Sequence, residues 1–156
     1  MKKITPFLWF NNNAEEAIDF YTAVFKDVKV KDIVRVGGGP AVKGQVLTAS
    51  IELFGQEFVM LNGGPQFQFN EAVSFVVNCS NQEEVDYYWE RLSDGGSLSR
   101  CGWLKDRFGL SWQVVPTILP KMLQDSDPAR SQRVMQAMMQ MDKIHIPTLE
   151  KAFEGE

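Results

Sequence analysis

The feature that most constrains this sequence is an internal repeat. Residues 54–60, Phe-Gly-Gln-Glu-Phe-Val-Met, share a Phe-Gly-x-x-aromatic pattern with residues 108–112, Phe-Gly-Leu-Ser-Trp. The second copy lies within residues 101–116, which predict a β-hairpin with a polar turn at residues 105–107. A pattern that recurs in this way indicates a chain built twice from one supersecondary unit.

The repeat extends to the segments that precede each hairpin. Residues 4–10 and 72–79 each predict a strand, and residues 15–21 and 83–89 each predict an amphipathic helix with a Glu-Glu start. Each half is therefore predicted to form a strand, a helix and three further strands, which is an α+β arrangement. One half has little core of its own, so we expect the two halves to share one.

Strict alternation marks one of the strands, at residues 45–53. It predicts a buried face of Leu47, Ala49, Ile51 and Leu53 and an opposite face of Thr48, Ser50 and Glu52. Before it, the glycine run at residues 37–40 predicts a hairpin loop. A phosphate-binding loop is excluded because the run lacks a Gly-Lys-Ser/Thr ending and no clear helix follows it.

The residues after Pro116 form a tail with helical patterns. Asp127-Pro128 predicts a helix start, and the Met-rich residues 129–141 follow it. Methionine-rich faces can serve as adaptable binding surfaces, but we interpret this one as a helix packed on its own domain or on a dimer mate.

Composition excludes several classes of protein. A 44% hydrophobic content supports a core, and the net charge of −4 argues against nonspecific nucleic-acid binding. No apolar run is long enough to span a membrane, and the first residues lack the features of a signal peptide, so we expect a cytoplasmic protein. Cys79 and Cys101 are expected to be reduced, and Cys79 to lie in the core.

Three stretches in order resemble a known family: Ala14-Glu15-Glu16-Ala17 through Phe20-Tyr21, residues 101–106, and residues 108–113. The chain resembles the vicinal oxygen chelate superfamily, which has the glyoxalase/bleomycin-resistance fold. Within it, the chain is similar to the PhnB-like branch, often labelled the 3-demethylubiquinone-9 3-methyltransferase family. The resemblance covers about residues 3 to 116.

The resemblance implies two βαβββ modules that form a curved mixed sheet around a cavity, with helices outside. We place the paired domain at residues 1–116, with modules at about 1–64 and 70–116, and a C-terminal helical extension at 117–156. A homodimer is also implied.

Metal-using members carry ligands on the first and last strands of each module. The corresponding places here fall near Pro6, Val59, Ser74 and Gln113, and a further place used by some relatives is Thr48. Of these residues, only Gln113 could coordinate a metal well. The set as a whole is a poor metal site, because a neutral amide and hydroxyls do not offset the cost of dehydrating the ion. His145, the single histidine, lies in the tail. We therefore predict no metal centre and no cofactor.

The predicted site is a cavity for a small molecule. Thr48, Ser50, Ser74 and Gln113 should face inward, Glu52 and Arg100 should lie nearer the rim, and Leu8, Phe10 and Val59 should supply apolar wall. Such a cavity could orient a small polar-aromatic ligand, or its polar groups could pair with one another or with water. The sequence leaves both alternatives open.

Two other functions compete with this one. The first is a superfamily enzyme of the lyase, isomerase or dioxygenase type, with an altered site at Gln113, Thr48 and Glu52. The second is an interaction protein that uses the Met-rich tail. Nothing supports the methyltransferase label, since no glycine-rich strand-to-helix turn is followed by an acidic residue. Glu52 and Asp106 occupy matching places, and we interpret them as turn-end carboxylates in water rather than an acid–base pair.

Overall fold

The computed structural model describes residues 2–36 and 44–156 and divides into two compact units, Met1–Phe69 and Asn70–Glu156. Each unit contains the strand, helix and three-strand order predicted from the repeat, and three further helices end the chain. The predicted α+β class with two βαβββ modules and a helical tail is confirmed. The glycine run at residues 37–40 lies outside the described residues.

The described residues of the first unit form one helix and one four-stranded sheet. The elements are β1 Phe7–Phe10, α1 Ala14–Val24, β2 Val28–Arg35, β3 Val46–Leu53 and β4 Gln56–Asn62. The sheet order is β1-β4-β3-β2, with β1 parallel to β4 and the other neighbours antiparallel. Strand β1 is shorter than predicted, because Ile4 precedes it and is exposed.

Helix α1 covers one face of this sheet, and the alternation of β3 supplies that face. Ala49, Ile51 and Leu53 are buried as predicted, whereas Leu47 is 41% exposed and Val46 is buried in its place. The pairing register shifts between Val34 and Arg35, so that β3 carries one extra residue there. A bulge of this kind reverses which residues face the core, which is why the prediction for Leu47 was wrong.

The start of α1 is capped from a distance. Asn13 directly precedes the helix, but its side chain makes no capping hydrogen bond. Instead Asn62, at the end of β4, accepts a hydrogen bond from the Ala14 backbone at 2.9 Å and donates to the Val46 carbonyl at 2.9 Å. One side chain thus ties the helix start to two strands.

The second unit repeats this arrangement and adds the tail. Its elements are β5 Ser74–Cys79, α2 Gln82–Ser93, β6 Ser97–Leu98, β7 Trp103–Lys105, β8 Ser111–Pro116, α3 Ile118–Leu123, α4 Pro128–Met139 and α5 Ile146–Glu154. The sheet order is β5-β8-β7-β6, with β5 parallel to β8. Asn81 caps α2 by accepting a hydrogen bond from the Glu84 backbone at 2.9 Å, as its sequence position predicts.

The tail helices have a core of their own within the second unit. Its buried members are Leu119, Met122, Val134, Ile144 and Leu149, and Val115 of β8 packs against it. Of the methionines in the tail, Met138 and Met141 pack on this core, whereas Met135 and Met139 are exposed. The Met-rich pattern therefore serves in part to pack the tail on its own unit. In residues 2–36 and 44–156, no helix has the length and apolar character needed to cross a bilayer.

Candidate functional site

The face of the first sheet that α1 does not cover carries four of the predicted site residues. Thr48, Ser50 and Glu52 alternate with the buried residues of β3, and all three are partly buried. The register places Ser50 opposite Val59 and Thr48 opposite Leu61. Thr48, Ser50, Glu52 and Val59 are therefore neighbours on one face, because directly paired residues point to the same side of a sheet.

Leu8 and Phe10, the other predicted wall residues of this unit, lie on the opposite face. Both are buried, and their partners in β4 are Met60 and Asn62. They belong to the core beneath α1, so the structure does not place them beside Val59. The apolar residues of β1 that share its face are Phe7 and Trp9.

Trp9 is held firmly in this position. Its indole Nε1 donates a hydrogen bond to the Gly64 carbonyl at 2.9 Å, and Phe67 packs edge-on at 4.9 Å between ring centroids. A Cβ atom on Gly63 would lie 2.4 Å from the indole, so only glycine allows the ring to lie flat on the backbone there. Sequence reasoning missed Trp9, because β1 is apolar throughout and gives no alternation from which to assign faces.

Glu52 is paired rather than free. Lys31 donates a hydrogen bond to it at 2.6 Å, and this bond lowers the pKa of the Glu52 carboxyl. A carboxylate with a lowered pKa stays ionised near neutral pH and is a poor general acid. The geometry therefore supports a structural ion pair on the sheet.

In the second unit the structure joins Ser74 and Gln113. The Gln113 amide Nε2 donates to the Ser74 hydroxyl at 2.9 Å, across the parallel pair β5 and β8. Both side chains are on the face that α2 does not cover, since Trp112 and Val114 alternate with Gln113 and are buried. Ser74 and Gln113 thus form one polar pair on this face.

Ser111 is the unexpected residue on this face. It lies two positions before Gln113, directly opposite Ser74, and it is fully buried. Its hydroxyl oxygen has no hydrogen-bond partner among the described residues. A buried hydroxyl without a partner costs about 1–3 kcal/mol, so a hydrogen-bond partner at this atom would stabilise the second unit. The sequence analysis did not name Ser111, although alternation along β8 puts it on the same face as Gln113.

The rest of the face is formed by β7. Trp103 pairs with Gln113 and Lys105 with Ser111. Lys105 is ion-paired with Glu71, and its ammonium lowers the pKa of that carboxyl. Arg100, predicted at the rim, lies exposed in the turn before β7.

Asp106 does not lie in water, contrary to the prediction. It is 2% exposed and accepts hydrogen bonds from the Phe108 and Leu110 backbone amides and from the Trp112 indole. Both carboxylate oxygens of Asp106 therefore already accept hydrogen bonds. Asp106 therefore organises the hairpin and is not a candidate acid or base.

The residues at the family's metal positions are poor ligands for a metal. Ser74 and Gln113 are neutral and bonded to each other, and Val59 has no donor atom. His145 starts α5 in the tail, where its Nδ1 lies 2.8 Å from the Thr148 hydroxyl. Within the described ranges, no three His, Cys, Asp or Glu side chains are grouped as a metal site would require. This donor set does not fit the superfamily's metal centre.

Neither cysteine is placed as a nucleophile. Cys79 is fully buried in β5, and burial raises the pKa of its thiol to about 12. Cys101 lies in the turn before β7, partly buried. A thiol held protonated at neutral pH is unreactive, so Cys79 is a core residue, as predicted.

The sequence and the structure were compared with known proteins. A family model described as 3-demethylubiquinone-9 3-methyltransferase matches residues 2–115. Among solved structures, the PhnB protein from Bacillus cereus is 35% identical, with a TM-score of 0.68 over 74% of this chain and 100% of that chain. No curated protein matches the sequence significantly.

More distant structures share the fold alone. Protein PA1353 from Pseudomonas aeruginosa is 21% identical, with a TM-score of 0.62 over 74% of this chain and 98% of that chain. The fosfomycin resistance protein FosX from Listeria monocytogenes is 13% identical, with a TM-score of 0.60 over 80% of this chain and 98% of that chain. This family match and these fold similarities agree with the two-module arrangement described above.

Proposed function

The chain belongs to the 3-demethylubiquinone-9 3-methyltransferase-like (PhnB) family of glyoxalase-fold proteins, and from this premise we propose that it binds a small neutral polar-aromatic molecule without a metal. The binding surface in the proposal is the face of the second sheet that α2 does not cover, around Ser74, Ser111 and Gln113. The observation that carries it is the buried Ser111 hydroxyl without a partner.

The polar groups of this face suit a neutral ligand. Ser111 can both donate and accept a hydrogen bond, and Gln113 keeps a carbonyl oxygen that accepts and a second N–H that donates. The charge of Lys105 is balanced by Glu71, so Lys105 does not require an anionic ligand. An amide or phenol group could satisfy Ser111, with its ring beside Trp103.

Methyl transfer is not part of the proposal, despite the family's description. A nucleotide-linked methyl donor would need a glycine-rich turn at a helix start. The turns before α1 and α2 are Asn11-Asn12-Asn13 and Ser80-Asn81, and neither contains glycine. Metal-assisted chemistry is likewise left out, because the donor set at Ser74 and Gln113 is neutral.

The experiment compares three probes of similar size: benzamide, benzoate and benzylamine. In protein labelled with ¹⁵N, the side-chain amide signal of Gln113 and the indole signal of Trp103 should move saturably with benzamide and less with the charged probes. Ser111→Ala should weaken benzamide binding by about three- to tenfold, the effect of one neutral hydrogen bond. Ser97→Ala, which removes an exposed hydroxyl from the same sheet, is the matched control.

Other outcomes would overturn the proposal. Equal binding of all three probes, or equal effects of Ser111→Ala and Ser97→Ala, would remove Ser111 from the site. Stoichiometric Mn²⁺, Ni²⁺ or Zn²⁺ in the purified protein, lost in Gln113→Ala, would favour an enzyme with an altered metal site. The proposal includes a cytoplasmic homodimer, which light scattering after gel filtration and cell fractionation would test.

A further inference from the structure

A cavity of about 600 Å³ lies in the C-terminal tail. Its apolar surface is formed by Ile118 and Met122 of α3 and by Phe153 of α5. All the residues that line it follow residue 115, where the match to the family model ends. The family relationship therefore assigns no role to this cavity.

The rim of the cavity is acidic. Asp125, Glu150 and Glu154 contribute carboxylates, and Lys121 contributes the opposing charge. Among the residues that the structure describes, none of these four side chains takes part in an ion pair. These four lining side chains together carry a net charge of about −2, since carboxylates are ionised at neutral pH.

Contacts from α4 hold the wall of the cavity in place. Arg133 donates hydrogen bonds to the carbonyls of Ala152 and Phe153, at 2.8 Å and 3.0 Å. The Arg130 guanidinium lies 5.0 Å from the centre of the Phe153 ring. A wall fixed in advance lowers the entropy lost when a ligand binds.

We propose that this cavity binds a small organic cation, an alkyl- or arylalkyl-ammonium ion. The apolar part of such a ligand would contact Ile118, Met122 and Phe153, and its ammonium group would lie among the rim carboxylates. The cavity volume is in the range of small-molecule sites. An anion would be repelled by the rim, and a neutral chain of the same length would gain only the apolar contacts.

The test uses the full chain with ¹³C-labelled methionine and isoleucine methyl groups, titrated with hexylammonium, 1-hexanol and hexanoate. These probes share one apolar chain and differ in the charge of the head group. The Met122 and Ile118 methyl signals should shift saturably with hexylammonium, more weakly with hexanol and least with hexanoate. Added salt should weaken only the binding of hexylammonium.

Two pairs of variants distinguish binding at this cavity from an effect of the protein's net charge. Glu150→Gln with Glu154→Gln should weaken hexylammonium about fivefold or more and leave hexanol unchanged. Glu83→Gln with Glu90→Gln, on the exposed side of α2, makes the same change in net charge and should have no effect. Equal effects of the two pairs, or equal affinity for hexanoate, would overturn the proposal. Methyl shifts that depend on protein concentration without any probe would show instead that a second copy of the chain covers the cavity.

Discussion

The indole Nε1 of Trp112 donates a hydrogen bond to Oδ2 of Asp106 at 2.9 Å, and both side chains are buried. The other carboxylate oxygen of Asp106 accepts from the backbone amides of Phe108 and Leu110, at 2.9 Å and 3.1 Å. One carboxylate therefore closes the hairpin turn and fixes the indole against the core of the second unit. This role explains why an acidic side chain is tolerated in a buried position.

Asp106→Asn should destabilise the protein by about 2–4 kcal/mol. The amide keeps the size of the side chain but replaces one acceptor oxygen with an NH₂ group, which would then face an N–H donor. Urea unfolding followed by tryptophan fluorescence would measure the loss. Asp94→Asn, which changes an exposed carboxylate paired with Arg107, should leave the free energy of unfolding within about 0.5 kcal/mol. Equal losses in the two variants would contradict the structural role of Asp106.

Ser111→Ala should stabilise the ligand-free protein by about 1 kcal/mol, because it removes a buried hydroxyl that has no partner. The same variant is expected to bind benzamide more weakly, so stability and binding should change in opposite directions. Thermal unfolding with and without the probe measures both effects. A Ser111→Ala variant that is less stable than the wild type would show that the hydroxyl is already satisfied in the free protein.

Where polar and apolar residues alternate along a strand, the sequence predicts which side chains are buried. Alternation correctly placed Cys79 in the core. It failed at Leu47, because a bulge depends on the pairing of two strands and leaves no mark in one strand's pattern. It could not assign Leu8 and Phe10 to a face, since every residue of β1 is apolar.

The sequence could not predict features that depend on contacts between residues far apart in the chain. The cap of α1 comes from Asn62, which lies 48 residues from Ala14 in the sequence. The burial of Asp106 requires the Trp112 indole, although a carboxylate before a Phe-Gly turn resembles an exposed turn residue in sequence. Whether Ser111 has a hydrogen-bond partner depends on residues that surround it in the folded protein, so the local sequence pattern could not predict it.

Gln82→Ala should loosen the tail without unfolding the second sheet. The Gln82 side chain donates to the Ile144 carbonyl at 3.0 Å and accepts from the Ile146 backbone at 2.7 Å, which joins the start of α2 to the start of α5. Loss of both bonds should speed hydrogen exchange at Ile146 and in α5 by about tenfold, while β5 and β8 stay protected. Glu83→Ala, at the exposed neighbouring position, is the control. Unchanged exchange in α5 would show that the tail core alone holds the helix.

Cys101 should be the thiol that reacts in the native protein. Burial holds the pKa of Cys79 at about 12, so its reactive thiolate is almost absent near pH 8. A thiol reagent should label one cysteine in buffer and two in denaturant, and Cys101→Ser should abolish the native reaction. Labelling of Cys79 in the folded Cys101→Ser variant would contradict its buried position.

The same burial predicts how stability changes at alkaline pH. In the unfolded chain the Cys79 thiol should titrate near its ordinary pKa of 9.0, whereas in the folded protein it keeps its proton up to about pH 12. Between these values the unfolded state binds fewer protons, so the free energy of unfolding should fall as pH rises from about 9, by at most about 1.4 kcal/mol per pH unit for this group. The raised pKa of Tyr88, caused mainly by burial, acts in the same direction. Urea titrations between pH 8 and 11 should show a smaller decline for Cys79→Ala than for the wild type. Identical slopes in the two proteins would show that Cys79 ionises as freely in the folded state as in the unfolded one.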